Sequence, residues 1–291
     1  MNKLPIAATI AEAYRFAFGH LGTIIGLIWL PKVLATLLNF LPEVGGAAGD
    51  ATGQAAGAGA FESVAILVLT QLLDAVMYVA LTRQALGQRQ GPAVIHFALG
   101  PQEFRMFGAM LLFVLIGFGC ALSFGLLLVA VQGVTAIGGG SAPGDLLGAM
   151  LVMAGCVLLA CTVIRFRFLL APVTVIENRV DLVRGWTLTQ GNVWRILLVL
   201  LATVGPIWAI EIGSGFALMG KEIIAALPPA GANEQIVQQH VLLLEDVLRR
   251  HMPQILFITL ILAPFNLGLL VSASAFGYRA LVPRALAEAR T

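Results

Sequence analysis

Long apolar runs at 21–41, 62–82, 106–133, 146–168, 195–219 and 254–282 alternate with short polar or glycine-rich segments along this chain. Lipid cannot satisfy an exposed backbone N–H or C=O, so a helix of about 20 apolar residues is the economical way across a bilayer. Each run is long enough. The pattern predicts an all-α integral membrane protein with six transmembrane helices. A different period occupies the N-terminus, where Ile6, Ile10, Ala13 and Ala17 share one helical face and Thr9, Glu12 and Arg15 another. That is an amphipathic helix suited to the membrane interface. Before the last run, Ile236, Val237, Val241, Leu244, Val247 and Leu248 form an apolar stripe. With Asn233 as N-cap and Pro253 as terminator, it predicts a separate outer helix over 233–252.

The polar segments fall into two kinds. Residues 42–60 and 136–145 contain no Lys or Arg, whereas 83–105 and 165–195 are rich in arginine. Threading the six spans places 13 of the 17 basic residues on one side, three on the other, and Lys32 within a span. Positive charge is retained on the cytoplasmic side, so both termini are expected there, in a bacterial inner membrane. Composition agrees with a lipid solvent: 59% of residues are hydrophobic and only 11% charged. A net charge of +2 gives no reason to expect a nucleic-acid partner. Cys120, Cys156 and Cys161 lie in apolar runs without metal-ligand spacing and read as small buried hydrophobes.

Similar phrases recur. "RFAFG" at 15–19, "HFALG" at 96–100 and "WTLTQG" at 186–191 each precede a turn and an apolar helix. "YVALTRQAL" at 78–86 matches "YRALVPRAL" at 278–286 in Tyr, Ala and Leu positions. The simplest architecture is one membrane domain over 1–291 built from three units, 1–90, 91–178 and 179–291, each an interfacial amphipathic helix followed by a transmembrane hairpin. Two spans per unit keep all copies in one orientation, a parallel repeat. At the third entry point Trp186 and Trp194 are amphipathic rings suited to headgroup depth, and Gly191 breaks the interfacial helix so the chain can turn inward.

The segment "RFRFLLAPVTVIENRVDLVRGWTLTQGNVWRILLVLL", 165–201, resembles the signature of the membrane domain of glycerophosphoryl diester phosphodiesterases and of YciC-like six-span bacterial membrane proteins. The resemblance covers about an eighth of the chain by motif and the rest by layout. It implies an integral membrane module. The last apolar run ends at 282 and the chain at Thr291, whereas a phosphodiesterase barrel needs about 250 residues. The catalytic activity is therefore not expected to carry over.

No catalytic, metal or phosphate-loop motif stands out, and His20, His96, His240 and His251 are scattered. No cofactor is expected, and an enzyme is the lesser reading. Two groups of residues are candidates for function. Arg165, Arg167, Arg184 and Arg195, with Trp186 and Trp194, would converge at one headgroup depth if the 182–195 segment folded beneath the bundle, making a contact surface for anionic phospholipid. Lys32, Asp74 and Glu211 are ionisable groups within spans, roughly 18, 13 and 24 Å from the inner ends at about 1.5 Å per residue. A charge at the bilayer centre costs about 2.5–3.5 kcal/mol on insertion scales, so each needs a partner or a water-filled cavity. Lys32 with Asp74 is the preferred pair. The function expected is a non-catalytic membrane module organising or contacting anionic phospholipid, partner proteins or both. The alternative is a secondary transporter or exporter that uses the three intramembrane charges.

Overall fold

Backbone polar groups that lipid would leave unpaired are met inside helices here. The computed structural model describes residues 3–49, 56–88, 99–137, 167–229 and 234–282, with single positions at 150, 153, 155, 162 and 164. In chain order the helices are α1 (Ile6–Gly19), α2 (Leu21–Gly49), α3 (Ala56–Ala85), α4 (Pro101–Ile137), α5 (Arg167–Ile176), α6 (Leu182–Thr189), α7 (Val193–Thr203), α8 (Gly205–Ala226) and α9 (Glu234–Leu281). There is no strand among the described residues. Four helices, α2, α3, α4 and α9, are long and apolar enough to cross a membrane; α7 and α8 make a fifth if the bent pair is one span. Most of 146–168 lies outside the described residues, as do Arg89, His96, Cys156, Cys161, Arg165 and Asn233.

Packing follows chain order at first. α2 pairs with α3 and α3 with α4, while α9 returns through the middle to contact α1, α2, α3, α7 and α8. One buried cluster joins α2, α3, α4 and α9 through Leu27, Met77, Leu81, Met106 and Leu269. A second joins the N-terminus to α5, α7 and α9 through Leu4, Phe168, Leu169, Ile196 and Ala273. α4 instead leaves Leu115, Phe118, Leu122 and Leu126 exposed at helical spacing, a stripe fit for lipid. Cys120, expected to be buried, is on that exposed surface.

Three local expectations are corrected. Pro253 does not end a helix: α9 is 48 residues long and contains both Pro253 and Pro264. At about 1.5 Å per residue it spans roughly 72 Å, against about 30 Å of hydrocarbon. The donor lost at an internal proline is tolerated because α9 packs along α8 on both sides of position 253. There Glu211 accepts from Thr259 Oγ1 at 2.8 Å, His251 meets Glu222 at 3.2 Å, and His240 Nδ1 lies 2.9 Å from the Ala226 carbonyl. The run 195–219 is not one straight helix, because α7 and α8 meet at Val204 with a 49° bend. Pro206 cannot donate to Ala202, and the Ala202 carbonyl accepts instead from Tyr14 Oη at 2.8 Å. Thr9, placed on the polar face of α1, is buried, its hydroxyl donating to the Pro5 carbonyl at 2.8 Å. α1 is packed against α7 and α9, so this side also faces protein.

Candidate functional site

Polar side chains from five helices collect around one cavity. It has a volume of about 400 Å³ and lies among α2, α3, α5, α7, α8 and α9. Leu200, Leu201, Trp208, Leu262 and Leu267 form apolar walls, and Lys32, Tyr78, Arg167, Glu211, Thr259 and Asn266 interrupt them. Position along the helices explains the gathering. Counting from the end of the bundle that carries α1, Arg167, Lys32, Asp74 and the α7–α8 break all fall at roughly 14–18 Å, and Glu211 at roughly 27 Å. Lys32, Asp74 and Arg167 therefore share a level near mid-span with the broken helix, Glu211 lies further along, and the break brings Val204 and Gly205 into the cavity wall.

The partners of these groups are unequal. Glu211 is held by Thr259, and Arg167 Nη2 donates to Tyr78 Oη at 3.3 Å. Asp74 lies within electrostatic range of Lys32 and Arg167, yet no ion pair joins it to either among the described residues. The Lys32 ammonium, the Asp74 carboxylate and the Asn266 amide have no hydrogen-bond partner in the protein among the described residues. In an apolar setting an unmet polar group costs several kcal/mol, about as much as one net hydrogen bond several times over. Of these, Lys32 and Asn266 line the cavity, so its wall carries groups with bonding capacity to spare.

The stretch rich in Arg and Trp behaves differently. Asp181 caps α6 by accepting from the Arg184 amide at 2.8 Å, and Gly191 takes φ +75° between α6 and α7, the left-handed turn that only glycine makes without strain. Trp194 is 75% exposed at the start of α7. Arg195 Nη1 donates to the Leu4 carbonyl at 2.9 Å, while the buried Asn192 Oδ1 accepts from the Leu4 amide at 3.0 Å. Both backbone groups of Leu4 are clamped from one turn. Arg184 Nε donates to Glu177 at 3.3 Å. Trp186 is half-buried on α6. Arg184 and Arg195 are committed to the protein, Arg167 is carried into the cavity, and Arg165 lies outside the described residues.

Glu177 is the residue that the pattern of charges understated. Its side chain is 2% exposed and accepts from Tyr278 Oη at 3.0 Å, from Arg179 Nη2 at 3.0 Å and from Arg184 Nε at 3.3 Å. Burial, the largest single influence, pushes its pKa up, but the hydrogen bonds from Tyr278, Arg179 and Arg184 together outweigh it and hold the carboxyl below its usual range. Tyr78 and Tyr278, the matching tyrosines of the repeated phrase, thus bond residues at the start and just beyond the end of α5. Among the described residues no three His, Cys, Asp or Glu side chains gather closely enough to hold a metal ion. Comparison with known proteins finds no matching family model, curated protein or solved structure.

Proposed function

We propose that this is a non-catalytic, multi-pass membrane module that binds an anionic phospholipid inside its helical bundle. The observation that carries the reading is the cavity of about 400 Å³, whose apolar walls meet an ammonium without a hydrogen-bond partner among the described residues and a guanidinium held by one tyrosine. An aqueous metabolite would waste those walls. A wholly apolar ligand would leave Lys32, Arg167 and Asn266 unmet. An amphipathic anion satisfies both, since guanidinium and ammonium donors suit phosphate oxygens. Six spans in three units, with both termini on the cytoplasmic side of an inner membrane, complete this reading. The likeness of 165–201 to phosphodiesterase membrane domains is consistent with a lipid-facing role. The exposed Trp194, at the start of α7, supplies an interfacial anchor.

Native mass spectrometry tests the proposal. After exchange into mild detergent, the wild type is expected to retain phosphatidylglycerol against an excess of phosphatidylcholine. Lys32→Met and Arg167→Gln are expected to lose it, and Arg184→Gln to keep it. Equal retention in all four correctly folded proteins would refute cavity binding.

A second reading, transport of an anion along the same cavity, is favoured by the broken helix. The 49° break in α7–α8 lies level with Lys32 and Asp74, the kind of discontinuity at which secondary transporters place their substrates. Solute flux into proteoliposomes that is abolished by Lys32→Met would favour this reading over static lipid binding.

A further inference from the structure

A second space lies on the far side of Lys32. It has a volume of about 380 Å³, runs between α2 and α9, and is lined by apolar residues such as Trp29, Ile261 and Phe265. Among the described residues that line it, Lys32 alone is charged. Lys32 and Ala263 are the two residues that line both spaces. The partition between the two chambers is therefore a methyl group and a flexible alkylammonium.

The helix contacts explain why the partition falls there. α2 and α9 run antiparallel and touch closely at Ile24 and Gly268, where a Cβ on the glycine would sit 3.1 Å from Ile24 Cδ1. Two turns further along α2 comes Lys32, facing a stretch of α9 that offers the small Ala263. Each helix carries a proline at this level. Pro31 cannot donate to the Leu27 carbonyl, nor Pro264 to that of Leu260, so each helix has a backbone acceptor without its usual donor. Exposed residues edge both chambers, Leu201 and Trp208 on one side and Trp29 and Ile261 on the other. In a membrane those faces meet lipid.

We infer that the two chambers form one site for a diacyl phospholipid, with the anionic headgroup at Lys32 and one acyl chain in each chamber. The inference rests on the lipid-binding reading above and adds the occupant's architecture. The first chamber holds the headgroup at the level of Lys32 because Arg167, Tyr78 and Asn266 line it, while its one carboxylate among the described residues, Glu211, accepts from Thr259 about 10 Å further along. The second, apolar apart from Lys32, takes hydrocarbon alone. Two spaces that share one cation in their walls offer places for two tails that meet at a single phosphate. A one-tailed lipid would leave one chamber unfilled.

Photo-crosslinking provides the test. Phosphatidylglycerol carrying a diazirine at the end of one acyl chain is incorporated into phosphatidylcholine nanodiscs with the full-length protein, and adducts are mapped by mass spectrometry. The wild type is expected to show adducts in both chambers, near Trp208 and near Phe265. Lysophosphatidylglycerol with the same label should mark only the first. Ala263→Phe, which plugs the neck, should reduce second-chamber adducts at least about fivefold and spare the first; Ala263→Leu provides a milder plug should the larger ring disturb folding. Lys32→Met should reduce both by about fivefold, the factor that one basic residue near an anionic headgroup carries. Second-chamber adducts unchanged by Ala263→Phe, Ala263→Leu and Lys32→Met would mean that bulk lipid merely bathes the groove, and the two-chamber site falls while the lipid-binding reading stands. First-chamber adducts unchanged by Lys32→Met would overturn that reading as well.

Discussion

Replacing Glu177 with Gln changes one charge and almost no volume, so its consequences can be worked out from the contacts. The carboxylate accepts from Tyr278, Arg179 and Arg184 and is 2% exposed. Hydrogen bonds to a charged group contribute about 1.5–3 kcal/mol each, and breaking a fully buried pair costs about 3–5 kcal/mol. Both arginines reach solvent, however, with side chains 56% and 33% exposed, and water recovers much of what they lose. The expected loss is about 1–2 kcal/mol for Glu177→Gln, and about 1 kcal/mol more for Glu177→Ala, which also removes the acceptor of the Tyr278 hydroxyl. Thermal unfolding in detergent, followed by circular dichroism, should show the Gln variant melting several degrees below wild type at pH 7, at roughly 2–4 °C per kcal/mol. The pH dependence has a definite sign. The folded-state pKa is depressed, so the contribution is fully present above the unfolded carboxyl value near 4.3 and is lost as pH falls through the lower folded value. The two melting curves should therefore converge under acid. Equal melting at pH 7, or a gap that persists unchanged in acid, would refute the network as a source of stability.

Three further outcomes are expected. Asn192→Leu leaves the buried Leu4 amide without its acceptor, which should cost about 1–3 kcal/mol and speed hydrogen exchange in α1 while α3 stays protected. Thr259→Val removes the donor to Glu211 and should destabilise the α8–α9 pairing; a double cycle with Glu211→Gln should be non-additive by more than about 0.5 kcal/mol. Cysteines introduced at the exposed Gln88 and Gln235 should react oppositely with a membrane-impermeant reagent in intact cells, position 235 labelled and position 88 spared; the reverse pattern would invert the proposed topology.

What could be read from the chain was what depends on short range. The presence and place of α2, α3 and α4 follow from apolar runs that lipid requires, although each helix extends eight or nine residues beyond its run, and the turn at Gly191 follows from a residue able to take φ +75°. The errors also have a short-range origin. Pro253 ends a helix by local rules, and only α8 packed alongside α9 overrides them. Thr9 belongs on a polar face by periodicity until α1 is found between neighbours. The site itself was half legible. Lys32, Asp74 and Glu211 stood out because charge is expensive in hydrocarbon, but Arg167 was grouped with Arg184 and Arg195 by proximity in sequence. Helix geometry separates them: Arg167 is carried nine residues up α5 to the level of Lys32, while Arg195 reaches a residue 191 positions away.

That separation bears directly on function. Arginines near a membrane surface invite the reading of a headgroup patch, yet Arg184 and Arg195 have their hydrogen-bonding directed into Glu177 and Leu4. Those bonds hold each guanidinium in place with one of its five N–H donors engaged, so turning the fork onto a phosphate means giving up a bond to the protein. The ammonium of Lys32, unpartnered among the described residues and facing two chambers, has no such bond to give up. Asp74 lies within electrostatic range of it but makes no ion pair with it, so a ligand that brings an anion into contact recovers part of the cost of desolvating the ammonium. Affinity should therefore depend on Lys32 far more than on Arg184 or Arg195, although those two are the residues a count of surface charge would rank first.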